Sequence, residues 1–259
     1  YPKLHHSFSN YTVLFLVSIL VIILARTLVN IKDLQYLNNL QFLIPIPIIA
    51  MVVSLLVTPN IAMLLGSVVA TLIALMYQGD FYLFIYLFLS NCVTTFTMYK
   101  MVKRTDLIRS GNIVGFFNLI IVICIGFIME INDIQWIVSN SIAAFGSGFI
   151  SAIITLGLLP YIEGTFNIST SLSLLEQANL NHPLIKRLMM TAPGTYQHSL
   201  MVANLSEMAA EAINADPILA RTGAYFHDIG KLKRPSFFTE NQYSSENPLH
   251  SLSPRMSKI

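Results

Sequence analysis

The sequence predicts an all-α fold, a polytopic transmembrane helix bundle with six spans followed by a smaller α-helical domain. Of its 259 residues 54% are hydrophobic and only 11% are charged, whereas an ordinary soluble domain carries about a quarter charged residues. Mean hydropathy is +0.65. Apolar runs with short polar punctuation fill the sequence up to Pro160. After it the pattern changes to amphipathic helices, with Glu176, Lys186, Arg187, Glu207 and Glu211 interspersed among apolar residues.

The spans are expected at residues 11–29, 42–57, 61–77, 81–99, 113–129 and 137–160, each near the roughly 17–25 residues that cross a bilayer as a helix. The second is the shortest and carries Pro45 and Pro47 near its start, so its alternative is a re-entrant turn. Lys100, Lys103, Arg104 and Arg109 crowd the connection after the fourth span, while the one after the fifth offers Glu130 and Asp133 and no cation. By the positive-inside rule the basic loop is cytoplasmic. Counting outward from it places the N-terminus with Lys3, and everything after Pro160, on the cytoplasmic side of a multi-pass cell-membrane protein. Arg26 and Lys32 fall outside and dissent mildly.

The last five spans have no Asp, Glu, Lys, Arg or His in their apolar interiors, and ion-coupled carriers need such groups, which disfavours transport. Asn91 and Asn118 are expected to hydrogen-bond between helices, with a ligand pocket as the alternative. Ala62, Gly66, Ala70 and Ala74 recur every fourth residue, as do Ala144, Gly148 and Ala152, giving two helices smooth faces for close packing. Trp136 stands where an interfacial anchor is expected.

The formal net charge of +2 gives no reason to expect a nucleic-acid polymer as partner. Cys92 and Cys124 lie inside apolar runs and imply no disulfide framework. The first ten residues lack the pattern of a cleavable signal peptide, and the absence of a starting Met points to a fragment.

Beyond Pro160, Ser169 or Thr170 can cap a short helix through Leu172, Leu175 and Ala178, and the Asn181-His182-Pro183 corner starts another, so 161–190 reads as connector helices. Pro193-Gly194 breaks the chain again. Thr195 can then cap a helix that places His198 in its first turn, ahead of an apolar face of Met201, Leu205, Met208 and Ala212. Asp216 is a natural N-cap with Pro217 at the first helical position. That helix should run to about Asp228 and end near Gly230, leaving His227 and Asp228 at its C-terminal end.

A neutral imidazole beside a carboxylate at a helix end can reach a divalent cation, and His198 on the neighbouring helix can supply a third bond. Mixed nitrogen and oxygen ligation suits iron, manganese, zinc or cobalt better than calcium. Such an ion acidifies water and offsets phosphoryl charge, which makes phosphodiester hydrolysis the natural reaction. A His-Asp dipeptide alone is more often the mark of a structural hydrogen bond than of a metal site.

Its context is more specific. The run Ala224-Tyr225-Phe226-His227-Asp228-Ile229-Gly230-Lys231, preceded by Gly194-Thr195-Tyr196-Gln197-His198-Ser199, resembles the HD phosphohydrolase superfamily. Spans leading into Leu158-Leu159-Pro160, Leu180-Asn181-His182-Pro183-Leu184 and Ala192-Pro193-Gly194-Thr195-Tyr196 are similar to the seven-transmembrane HD receptors, whose members include PgpH-type cyclic-di-AMP phosphodiesterases.

The resemblance runs along essentially the whole chain and implies a transmembrane bundle at 1–160 and an incomplete cytoplasmic HD domain at 191–259. An extracellular domain and the first of seven helices would be missing. It implies that His198, His227 and Asp228 bind a two-metal centre, usually iron or manganese, with Asp228 as the bridging catalytic residue. The implied reaction opens cyclic-di-AMP, a cyclic dinucleotide, to the linear dinucleotide, with the membrane region as a sensor. The family's remaining ligands, two histidines and a late aspartate, fall beyond Ile259, so the 259 residues alone are expected to be inactive.

Lys231 is expected to bind a substrate phosphate, with capping of the last helix carbonyls as its alternative. His250 reads as a solvated loop histidine, and His5, His6 and His182 as solvent-facing or structural. The expected partners are the dinucleotide and the lipid bilayer, with a homodimer left open. The alternative function is a non-catalytic receptor or relay with a degenerate HD domain.

Overall fold

A computed structural model describes residues 8–30, 40–99, 101, 103–166 and 168–242. The described residues contain helices and no strand. The chain divides into two compact units, Tyr1–Thr170 and Ser171–Ile259. Lys3, His5, His6, Lys32, Lys100 and His250 lie outside the described residues.

The first unit is a helical bundle of α1 (Phe8–Asn30), α2 (Pro47–Leu56), α3 (Pro59–Met76), α4 (Phe81–Met98), α5 (Arg104–Ile128) and α6 (Ile134–Phe166). All but α2 are long and apolar enough to cross a membrane. Large apolar side chains such as Leu64, Phe96, Phe127 and Ile142 point away from the core. That is costly in water and expected in lipid, where the helical backbone satisfies its own polar groups.

The expectation of six spans is corrected here: among the described residues, five helices have membrane length. The run expected at 42–57 is a 3-10 turn, Leu40–Leu43, followed by the ten-residue α2. Pro45 and Pro47 explain the break, since each lacks the N–H that a continuous helix would bond, and Pro47 instead takes the first position of α2, where that N–H is not needed. This short segment is the centre of the bundle, with Ile44, Ile46 and Ile48 through Val53 fully buried. At one end the Tyr86 hydroxyl donates to the Phe42 carbonyl at 2.6 Å and the Phe42 ring meets Trp136 edge-on. At the other, Met51 packs with Met98, Leu107 and Ala152. The segment thus runs between the same two ends of the bundle as its neighbours, and protein rather than lipid surrounds it.

Small residues set the closest helix contacts. Ala62, Ala70, Ala74, Ala144 and Ala152 are all buried. Gly148 on α6 lies directly against α5: a Cβ there would sit 2.5 Å from the Gly115 nitrogen and 2.8 Å from the Gly111 carbonyl oxygen. Asn91 reaches across helices, its Nδ2 donating to the Met63 carbonyl at 3.1 Å. Asn118 is fully buried, and neither atom of its amide has a hydrogen-bond partner among the described residues.

The last helix continues through Pro160 to Phe166. Past the proline, Glu163 receives Arg104 at 3.3 Å and also bonds the Thr170 hydroxyl. These two contacts fasten the tail of α6 to the start of α5 and to the end of the unit.

The second unit contains α7 (Ser171–Gln177), α8 (Pro183–Thr191), α9 (Pro193–Ala212) and α10 (Pro217–Phe226), then 3-10 turns at Ile229–Lys233, Pro235–Phe237 and Thr239–Asn241. Its apolar centre is Ile185, Ala203, Ala224 and Tyr225. Arg221 on α10 reaches Glu207 on α9 with one terminal nitrogen, 3.1 and 3.2 Å from the two carboxylate oxygens. Asp216 caps α10 as expected, accepting from the backbone of Ile218 and Leu219. Between the helices Asn214 takes a left-handed conformation (φ 55°), which asparagine tolerates better than most residues.

Two local expectations change. The helix from Pro217 stops at Phe226, with His227 as its C-cap. Thr195 is not a cap: α9 begins two residues earlier, and the threonine side chain bonds the 3-10 turn at Glu240 and Asn241 instead. Pro193 explains the shift, being favoured in the first turn where its missing N–H costs nothing.

Candidate metal centre

His198 comes from the second turn of α9, while His227 and Asp228 come directly after the last residue of α10. Antiparallel packing of the two helices, held by Ala203, Ala224 and the Glu207–Arg221 pair, brings one ligand atom from each within 4.8 Å of the others. The Asp228 Oδ2 oxygen lies 3.3 Å from His227 Nε2 and 3.9 Å from His198 Nε2. The two imidazole centroids are 5.4 Å apart. All three sequence-predicted ligands therefore converge.

The surroundings fit a cation. His227 Nδ1 lies 2.7 Å from the Ala224 carbonyl oxygen, and since a carbonyl only accepts, that nitrogen carries the proton. Nε2 is then left with its lone pair on the side facing Asp228, the usual outer arrangement of a metal-binding histidine. Two imidazole nitrogens and one carboxylate are a donor set suited to a divalent transition-metal ion. About half of the His198 side chain is exposed, which leaves the cluster open to solvent and to a substrate.

Lys231 is placed beside this cluster. Its Nζ lies 2.8 Å from Asp228 Oδ2 and 2.7 Å from Glu240 Oε1, with the Phe238 ring below it at 4.8 Å. Burial works against the ammonium, but hydrogen bonds to Asp228 and Glu240 outweigh it and hold the pKa above the usual lysine value. The Lys231 hydrogen bond in turn holds Glu240 below the usual carboxylate range.

Glu240 and Asn241 are the residues that sequence reasoning missed. The Thr195 hydroxyl donates to Glu240 Oε1 at 3.0 Å and accepts from Asn241 Nδ2 at 2.8 Å, while the Thr195 amide donates to Asn241 Oδ1 at 3.1 Å. Nothing local in the sequence joins positions 45 residues apart. The only available signal was Gly194, where a Cβ would meet the Glu240 carbonyl oxygen at 1.8 Å and forbid the approach.

Residues 1–170 match the family model described as 7TM receptor with intracellular HD hydrolase, and residues 195–254 match that of the HD domain. The cyclic-di-AMP phosphodiesterase PgpH of Bacillus subtilis is 34% identical over 99% of this chain and 37% of its own length. PgpH of Listeria monocytogenes is 36% identical over 87% of this chain and 32% of its own. The chain thus spans about a third of the length of these curated relatives. A crystal structure of the L. monocytogenes PgpH HD domain in complex with cyclic-di-AMP shares 52% identity over 31% of this chain and 37% of that one, with a TM-score of 0.30. The chain belongs to the family of 7TM receptors with an intracellular HD hydrolase domain.

Proposed function

We propose that this is a membrane-anchored, metal-dependent phosphodiesterase that opens cyclic-di-AMP to the linear dinucleotide, with the membrane bundle as its sensor and residues 161–190 as the connector. The observation that carries the proposal is the convergence of His198, His227 and Asp228 on one point. The PgpH relatives, similar across both units, support the choice of substrate.

A divalent ion held by these three residues supplies Lewis acidity, which lowers the pKa of water and offsets phosphoryl charge. The chain's own groups orient and select. The Ala224 carbonyl fixes the His227 tautomer, Asp228 gives the negative charge that both imidazoles face, and Lys231 offers an ammonium to a substrate phosphate oxygen. The complete centre holds two ions, iron or manganese.

Purified full-length protein loaded with manganese or iron is expected to convert cyclic-di-AMP to the linear dinucleotide and to hold two ions per chain. If that protein leaves cyclic-di-AMP intact while cleaving another nucleotide, the substrate assignment fails.

The second unit faces the cytoplasm in this reading. Lys103, Arg104 and Arg109 lie at the same bundle end as the tail of α6, joined there by the Arg104–Glu163 pair, and basic loops stay inside. A membrane-impermeant maleimide applied to intact cells is expected to label Asp133→Cys and to spare Lys103→Cys. The reverse pattern would invert the orientation.

A further inference from the structure

Asp228 stands just beyond the regular part of α10, so its side-chain direction depends on the 3-10 turns C-terminal to it rather than on a helical ladder. Those turns offer little packing, since neither Ile229–Lys233 nor Pro235–Phe237 contains a buried residue. Polar bonds hold them instead. Asn241 is 6% exposed and Thr195 is fully buried, and three hydrogen bonds tie Thr195 to Glu240 and Asn241. Asn241 also donates to the Pro235 carbonyl at 3.4 Å. Thr195 lies three residues before His198 on α9, the spacing that puts two side chains on one face of a helix. A closed circuit results, from the His198 face of α9 through Thr195 to Glu240, from Glu240 to Lys231, and from Lys231 to Asp228.

One detail of that circuit is specific. The Lys231 ammonium touches Asp228 Oδ2, the oxygen that both imidazole nitrogens face. A lysine cation and a metal ion therefore compete for the same lone pairs. The carboxylate of Glu240 is already bonded to Lys231 and is held by Thr195 from the other side. We infer that Glu240 is a positioning residue, a counter-seat that keeps the Lys231 ammonium at the rim of the site when Asp228 is given over to metal, and that Asn241 locks this seat to α9. The inference rests on the metal-dependent function proposed for the same cluster.

The experiment measures Mn2+ affinity of the full-length protein by calorimetry, with no turnover involved. Glu240→Gln keeps the shape and an acceptor for Thr195 but removes the charge that draws Lys231 away. It is expected to weaken Mn2+ binding about tenfold, in the range seen when outer partners of metal ligands are changed. Lys231→Met removes the competitor and is expected to bind Mn2+ at least as tightly as the parent. The Glu240→Gln/Lys231→Met pair is expected to match Lys231→Met, because without the lysine the seat has nothing to hold.

Parental affinity in Glu240→Gln would overturn the inference, and so would a double variant as weak as Glu240→Gln alone. Should Glu240→Gln fail to fold, Lys231→Met decides by itself, and weaker Mn2+ binding in that variant counts against the idea. If the parent protein takes up no Mn2+ at all, it is the metal-dependent function that fails instead.

Discussion

Asp228→Ala in the full-length protein is expected to lower Mn2+ affinity by at least about a hundredfold and to abolish opening of cyclic-di-AMP. Outer partners of metal ligands already cost about ten- to a hundredfold in affinity or activity when removed, and a direct ligand must cost more. Asp228 is also the only carboxylate in the described cluster. Without it two imidazoles remain beside the Lys231 ammonium with no negative charge among them, an arrangement that does not hold a divalent cation. Asp228→Asn tests charge apart from shape and should resemble the alanine variant, since an amide oxygen keeps the geometry without the negative charge. Calorimetry with Mn2+ and chromatography of the products measure both effects. Full metal occupancy and parental turnover in Asp228→Ala would remove this cluster from the mechanism.

Gly148→Val is expected to disrupt the membrane unit. The first added carbon would lie 2.5 Å from the Gly115 nitrogen, 2.8 Å from the Gly111 oxygen and 2.9 Å from the Gly115 Cα. All three are backbone atoms, so no side-chain rotation relieves the clash and α5 must move away from α6. Overpacking a tight contact costs about 1–3 kcal/mol for modest insertions, and separating two backbones also forfeits the dispersion contacts that hold helices together in lipid. Unfolding in mixed detergent, monitored by circular dichroism, should show a lower midpoint or aggregated protein. Gly157 lies on the same helix with nothing within 4 Å of an added Cβ, so Gly157→Ala is the control and should unfold as the parent does. Equal midpoints for Gly148→Val and the parent would mean that the two helices do not pack as described.

The membrane half was legible because length and hydropathy are enough to identify a helix that must span lipid. That reasoning fails at 42–57, where hydropathy cannot distinguish residues facing lipid from residues surrounded by protein. Pro45 and Pro47 marked the weak point, but the fully buried state of Ile48 through Val53 depends on α3, α4 and α6 closing around them, which no local pattern records. Asn91 took an interhelical bond as expected, whereas Asn118 has none among the described residues. His198, His227 and Asp228 were legible because their chemistry and the helix boundaries at Pro193 and Asp216 sit in short motifs. Thr195 was misread as a cap for the complementary reason: its partners come from a turn far along the chain, and a threonine near a helix start looks the same in either role.

The unbroken run of α6 carries a mechanical consequence. Its 33 residues extend about 50 Å, well beyond the roughly 30 Å of a bilayer's hydrocarbon core. Such a rod acts as a lever: a tilt of about 5° about the Gly148 crossing displaces Glu163, roughly 22 Å further along the axis, by about 2 Å, more than one residue's rise. A small rearrangement at the Gly148 crossing would therefore arrive magnified at Glu163, with no hinge needed between them.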